Sequence, residues 1–344
     1  MCSAPHGSGT WSDSLPSACL VTGATGFIGT ALIRRLRASG AMVRGVARSR
    51  RDSPADELAL LDLAADQLPA RLLDGIDTVF HLAAKTHDLA ETDAAAAEYW
   101  RVNVEGTQHL LDAVRRGQVR RVVLASSVKA VGEDAPLPLD ETHPARPTTP
   151  YGRSKLATEQ LMHSEASRHG FAAVCLRFPL VYGPGQRGNL ARMIAAIDRG
   201  RFPTPPANDN GRSMLHVENA VDALILAGSH PAAAGKTYFV TDTHAYSTRD
   251  VYDWIREALG KPPVRWAVPE WAFRVLAAGG DVSRRVLGRR IGFDSDAFQK
   301  LLGSATYRSD KIRRELGYRP ERELPTSLPE LIAEYRVGAA RPSS

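Results

Sequence analysis

Cysteine is scarce in this 344-residue chain, with only Cys2, Cys19 and Cys175 present. They show no metal-ligand spacing, so neither a disulfide framework nor a metal site is expected. A reducing cytoplasm is the expected compartment. No uncharged apolar run approaches the roughly 18 residues of a membrane span. The nearest candidate, Trp271–Gly280, is short and is interrupted by Arg274. No membrane partner is therefore expected. Residues 1–17 are rich in Ser, Gly and Pro and lack the apolar core of a signal peptide. They read as a disordered tail. A block of like charge is missing too: the net charge of +6 comes from scattered pairs such as Arg34-Arg35, Arg120-Arg121 and Arg289-Arg290. Basic clusters interleaved with stacking aromatics are absent, so no nucleic-acid partner is expected. A solvated surface with some pull on anionic small molecules fits the balance better.

What the chain does have is alternation. With 43% hydrophobic and 24% charged residues it can build an ordinary globular core. Strands are predicted at Ala18–Thr22, Met42–Ala47, Leu58–Leu61, Thr78–Leu82, Arg121–Ser126 and Ala172–Phe178. Helices are predicted from Gly29 to about Ser39, over Glu98–Arg116 and over Tyr151–His169. This β-α-β order implies an α/β fold with a doubly wound parallel sheet of the Rossmann kind over residues 18–178. After Phe178 the chain is loop-rich, with a helix near Asn189–Arg199. A helix at Glu218–Ala227 and a strand at Thr237–Thr241 suggest that 217–245 return to the sheet. Residues 179–216 and 246–336 are expected to form a smaller C-terminal substrate-binding subdomain, with helices at Ser247–Leu259 and Ser327–Tyr335.

The turn Gly23-Ala-Thr25-Gly26-Phe27-Ile28-Gly29 sits between a strand and a helix. Gly23 permits the tight turn, Gly26 lets backbone approach a pyrophosphate, and Gly29 lets helix and strand pack closely. The helix N-terminus offers unpaired N–H groups to phosphate. In that setting the turn reads as a dinucleotide site. At the end of the second strand, the position where a carboxylate would select NAD is Ala47, and Arg48 follows. A guanidinium suits a 2′-phosphate, so the cofactor is expected to be NAD(P), leaning to NADP(H). Asp62 and Leu63 are candidate adenine contacts, although a capping Asp reads equally well.

Ser127 ends a buried strand, and Tyr151 and Lys155 lie four residues apart on one face of a predicted helix. A carbonyl that accepts hydride also needs a proton donor. Tyrosine, with a pKa near 10, is expected to be brought toward the working range by the neighbouring ammonium. Ser127 would hold the substrate oxygen.

Together these residues resemble the extended short-chain dehydrogenase/reductases, the NAD-dependent epimerase/dehydratase family. The matching pieces are Thr22–Gly29, His81-Leu82-Ala83-Ala84, Asn103–Thr107, Ser126-Ser127, Tyr151–Lys155, Arg177-Phe178 with Val181–Gly185, and Arg212 with His216-Val217. They run from residue 18 to about 225. The resemblance implies that Leu82, Ala83, Ala84 and Asn103 line the cofactor, and that the substrate is a nucleotide sugar. It places Asn189 near the nucleotide base and Arg212, read as a loop arginine beside the cleft, on the diphosphate. Lys129 is a further candidate sugar contact. It also implies a homodimer through a four-helix interface of Glu98–Arg116 and Tyr151–His169.

Departures narrow the member. Val128 and Lys129 stand where sugar dehydratases carry acids, which disfavours dehydration. Pro179 stands where well-known UDP-galactose epimerases carry Asn. The expected activity is reduction of the C4 ketone of a UDP-linked 4-keto-6-deoxy-N-acetylhexosamine. The alternative is a UDP-sugar 4-epimerase that keeps its NAD. A steroid-type reductase would not need Arg212. A non-catalytic dinucleotide-binding module would not need both Tyr151 and Lys155.

Overall fold

In a computed structural model of the chain, residues 15–86, 93–132, 138–186, 188–208, 210–287 and 295–340 are described. Residues 1–14 of the expected tail lie outside them. The strands are β1 (Ala18–Thr22), β2 (Met42–Ala47), β3 (Glu57–Leu60), β4 (Thr78–His81), β5 (Arg121–Ser127), β6 (Ala172–Phe178), β7 (Leu180–Tyr182), β8 (Arg212–His216), β9 (Lys236–Phe239) and β10 (Ala245–Tyr246). Seven of them form one parallel sheet in the order β3-β2-β1-β4-β5-β6-β9. The other three form a small sheet, β10-β8-β7.

The helices are α1 (Phe27–Ala38), α2 (Asp93–Tyr99), α3 (Gly106–Val114), α4 (Pro150–His169), α5 (Asn189–Asp198), α6 (Val217–Ser229), α7 (Thr248–Ala258), α8 (Glu270–Leu287), α9 (Ser295–Leu302), α10 (Asp310–Leu316) and α11 (Leu324–Ala340). Helices α1, α6 and α10 cover one face of the large sheet, through Leu32, Ile33, Leu36, Val221, Leu224, Ile312 and Leu316. Helices α3 and α4 cover the other, through Leu110, Leu111, Val114 and Met162 against Leu20, Val79 and Val122. Strands enclosed on both sides read as continuous apolar runs, which is why LVT, TVFH and RVVLA were legible as strands. Each such buried aliphatic side chain contributes about 1.5–3 kcal/mol of transfer free energy. A further core joins Tyr182, Leu190, Ile194, Met214, Tyr252, Ile255, Leu328 and Ile332 around α5, α7, α11 and the small sheet.

Three expectations change. The helix expected over Glu98–Arg116 is α2 and α3 joined by a π-helical stretch, Trp100–Glu105. Residues 310–318, assigned to the subdomain, pack into the first core through Ile312, Leu316 and Tyr318. The region 179–216 contains β7 and β8, and Arg212 opens a strand instead of lying in a loop.

Strand order reverses at β1, which has β2 on one side and β4 on the other. A crevice opens there, outside the carboxyl ends of the strands. Gly23–Gly29, Leu82–Ala84 and Ser127 all follow from those ends.

Candidate active site

The turn after β1 is built for close approach. Gly23 has φ +69°, and a Cβ there would lie 2.9 Å from the Ala83 nitrogen. A Cβ on Gly29 would collide with the Gly23 carbonyl oxygen. The Gly26 N–H donates to Gly23 O at 2.9 Å, closing the turn. Helix α1 begins at Phe27, with Ile28 beside it, and has neither a side-chain cap nor an acidic residue in its first turn. Its N–H groups and the positive end of its dipole are thus left for an anion. This cradle fits a dinucleotide pyrophosphate. Thr25, part-buried, and Gly26, exposed, sit at its lip.

Thr22, at the end of β1, ties the crevice together. Its Oγ1 accepts from the N–H groups of Leu82 (3.2 Å) and Ala83 (3.1 Å) and lies 2.7 Å from His81 Nδ1. His81 Nε2 lies 2.9 Å from Thr107 Oγ1. Burial, with Lys155 adding to the effect, pushes His81 down to about 3. The imidazole is therefore neutral and bridges two hydroxyls. Leu82, Ala83 and Ala84 are partly buried beside the turn.

At the ribose end Ala47 is buried, and Arg48, Arg50 and Arg51 follow in an exposed stretch. These arginines take no hydrogen bond or ion pair among the described residues. Asp62 accepts from Ala64 N at 3.1 Å and so caps its own turn. Leu63 is buried in the core, and its carbonyl receives His109 Nδ1 at 2.8 Å.

The expected catalytic residues are brought together by β5 and α4. Ser127 is the last residue of β5, and its Oγ accepts from Lys129 N at 3.2 Å. Its hydroxyl also hydrogen-bonds the Tyr151 side chain, so the two hydroxyls meet at one point. Pro150 opens α4, and Thr149 caps it by accepting from Gly152 N at 3.1 Å. Gly152 packs directly on the turn after β5, where a Cβ would overlap the Lys129 carbonyl oxygen. That contact sets Tyr151 beside Ser127. The ring of Tyr99 lies 5.6 Å from that of Tyr151, centroid to centroid.

Burial pushes the Tyr151 hydroxyl up to about 12, with Ser127 acting in the opposite sense and Tyr99 adding to the rise. The expected lowering by Lys155 is therefore not what the chain alone provides. Lys155 Nζ is spent on the Ala125 carbonyl at 2.7 Å. Burial pulls Lys155 down to about 8, against Glu159 and Cys175. The phenol rests protonated, as a proton donor must.

Two sets of supporting residues stand behind these three, and the first belongs to the Asn103–Thr107 motif, expected to line the cofactor. Asn103, in the π-helical stretch, accepts from Lys85 N (2.8 Å) and donates to Ser154 Oγ (2.9 Å), and its carbonyl receives Thr158 Oγ1 (3.1 Å). It braces α4 against the segment after β4. One turn beyond Lys155, the buried Glu159 accepts from Ser126 Oγ and pairs with Arg177 on β6, Nη2 to Oε2 at 2.7 Å. The spacing Tyr151–Lys155–Glu159, one stripe of a helix, was the available clue to the second set.

The expected substrate residues lie farther along. Lys129 is half-buried beside Ser127. Asn189 is exposed as the first residue of α5, with Gly188 as the cap. Arg212 Nη1 donates to Gly303 O at 2.9 Å and to Gln299 O at 3.3 Å, at the end of α9. Among the described residues no group of three or more His, Cys, Asp or Glu could hold a metal, and no helix is long and apolar enough to cross a membrane.

A glycine turn feeding an uncapped helix, with Ser, Tyr and Lys converging at the next strand ends, defines an enzyme of the short-chain dehydrogenase/reductase type. The model of the NAD dependent epimerase/dehydratase family matches residues 19–240, and the chain belongs to that family. It is 28% identical to a UDP-glucose 4-epimerase of Vibrio cholerae, over 90% of this chain and 93% of that one. It is 31% identical to a 4-hydroxy-2-methyl-3-oxo-4-farnesyl-3,4-dihydroquinoline-1-oxide ketoreductase of Stigmatella aurantiaca, over 87% and 90%. A solved structure, MoeE5 in complex with UDP-glucose and NAD, superposes with a TM-score of 0.75 at 30% identity, covering 94% of this chain and 100% of that one.

Proposed function

We propose that the protein reduces the C4 ketone of a UDP-linked 4-keto-6-deoxy-N-acetylhexosamine in surface-polysaccharide synthesis, using NADPH. The convergence of Ser127, Tyr151 and Lys155 at the ends of β5 and α4 carries this reading. When bound at the Gly23–Gly29 turn, the dinucleotide supplies or takes up hydride. Ser127 donates to the C4 oxygen and fixes its position. Tyr151, protonated at rest, gives its proton to that oxygen as the carbonyl becomes an alcohol. Lys155 orients the cofactor ribose and favours the phenolate that remains. Asn103 keeps the wall after β4 in register with α4.

The missing carboxylate at Ala47 and the unpartnered Arg48, Arg50 and Arg51 support a 2′-phosphate, and so a cofactor consumed in reduction. Arg212 is suited to the substrate diphosphate, Asn189 to the base and Lys129 to the sugar. A cytoplasmic homodimer through α3 and α4 agrees with the 48% exposure of Trp100 beside those helices.

A second reading, 4-epimerisation of a UDP-sugar with retained NAD, is favoured by the Vibrio cholerae relative. One experiment separates the two. Purified protein is given NADPH and the 4-keto sugar, and in parallel UDP-glucose or UDP-N-acetylglucosamine without added cofactor. Stoichiometric NADPH loss, abolished by Tyr151→Phe, supports reduction. Redox-neutral conversion with co-purifying NAD supports epimerisation. Failure of both, in protein that folds, overturns the nucleotide-sugar reading.

A further inference from the structure

Large exposed apolar side chains among the described residues are mostly isolated, with one exception. Trp266, Trp271, Val275 and Leu276 are 65, 67, 64 and 57% exposed within a short stretch. Helix α8 accounts for three of them. It buries Phe273, Ala277 and Gly280 against the protein, at i, i+4 and i+7. On the opposite side Trp271, Val275, Ala278 and Gly279, at i, i+4, i+7 and i+8, face outward. A solvated helix would place charges there. Here an apolar stripe remains after the core has used the other side.

The sequence around the stripe is basic. Residues 261–287 hold five basic and two acidic side chains, a net +3 out of the chain's +6. Arg265 is exposed and takes no partner among the described residues. The acidic Glu270 is already paired with Arg274, at 2.7 Å, and Lys261 is paired with Asp198, at 3.3 Å. Exposed tryptophans beside excess positive charge match an interface that is apolar at one depth and anionic just above it. A second copy of the chain fits less well, because a two-fold contact would set the same positive face against itself.

We propose that α8 and the Trp266 segment dock the protein on an anionic lipid bilayer. Trp266, Trp271, Val275 and Leu276 enter the boundary between headgroups and acyl chains, and Arg265 meets lipid phosphates. The helix lies on the membrane and does not cross it. The expectation of no membrane partner rested on the missing span, which a surface-lying helix does not need. The proposal is independent of the reaction proposed above.

The test is co-sedimentation of the full chain with phosphatidylcholine vesicles, with and without phosphatidylglycerol. The triple variant Trp266→Ser, Trp271→Ser, Val275→Ser serves as the comparison. Its side chains are solvated, so its circular dichroism and Tm should match the wild type and report that it folds. The wild type should pellet with phosphatidylglycerol vesicles and its tryptophan emission should shift to the blue. The triple variant should bind at least about tenfold more weakly, as expected for losing this much apolar burial. Wild-type protein left in the supernatant, equal binding by the triple variant, or equal binding to neutral vesicles would each overturn the proposal. So would a wild-type dimer that the triple variant dissolves, which would assign the stripe to a second copy.

Discussion

Replacing Lys155 by Met should make the protein more stable near neutral pH while removing its activity. The ammonium is buried, and its pKa falls from 10.5 to about 8. At about 1.36 kcal/mol per unit, keeping the charge in the fold costs roughly 3 kcal/mol. Met fills nearly the same volume without the charge. The loss of the donor to the Ala125 carbonyl takes back about 1 kcal/mol. A net gain of about 2 kcal/mol remains. At about 2.1 cal/mol/K per residue, it raises Tm by about 3 °C in a chain of this length. The sign of the pH dependence follows from the lowered pKa. Below about pH 8 the lysine is charged in both states and the full penalty applies. Between about 8 and 10.5 the folded state releases its proton first, so wild-type stability climbs toward that of the variant. Tyr151, up at about 12, titrates outside this window. Thermal unfolding of both proteins at about pH 7 and about pH 10 measures the gap. A variant that is no more stable at the lower pH, or a gap that does not narrow at the higher, would refute the reasoning. Turnover should drop by at least about 10²-fold in either case.

Three further outcomes follow from the same geometry. Gly152→Ala would press a methyl group onto the Lys129 carbonyl and push Tyr151 from Ser127, so kcat should fall by at least about tenfold, measured at saturating substrate, at a stability cost of about 1–3 kcal/mol. Arg177→Met leaves the Glu159 carboxylate buried without its cation, and urea unfolding should show a loss of about 3–5 kcal/mol. The proposed dimer through α3 and α4 is tested by sedimentation velocity: the wild type should run as a dimer and Trp100→Asp as a monomer, with the circular dichroism spectrum unchanged.

The parallel sheet was legible because its strands are enclosed on both faces and its glycine turn has a local chemical signature. The places of Ser127, Tyr151 and Lys155 on strand and helix were legible for the same reason: strand end and helix face are short-range properties. The small sheet was not. Leu180–Tyr182 and Ala245–Tyr246 are too short to show a period, and each becomes a strand only by pairing with Arg212–His216 from elsewhere in the chain. The place of Arg212 was hidden with it. The Lys–Tyr spacing suggested a lowered phenol, but burial raises it and Lys155 is turned to the Ala125 carbonyl, and no local spacing reports enclosure. The Glu159–Arg177 pair also depends on two elements meeting, α4 and β6.

The stretch Trp100–Glu105 is wound one residue too loosely for an ordinary helix. Each residue of a regular helix turns the chain by about 100°. Deleting any one residue in this stretch would let the winding close up and swing Asn103 off its partners, while α2 and α3 would survive as a single rod. Such a shortened chain would keep the whole scaffold and lose the brace between α4 and the segment after β4, a large local loss from a single codon.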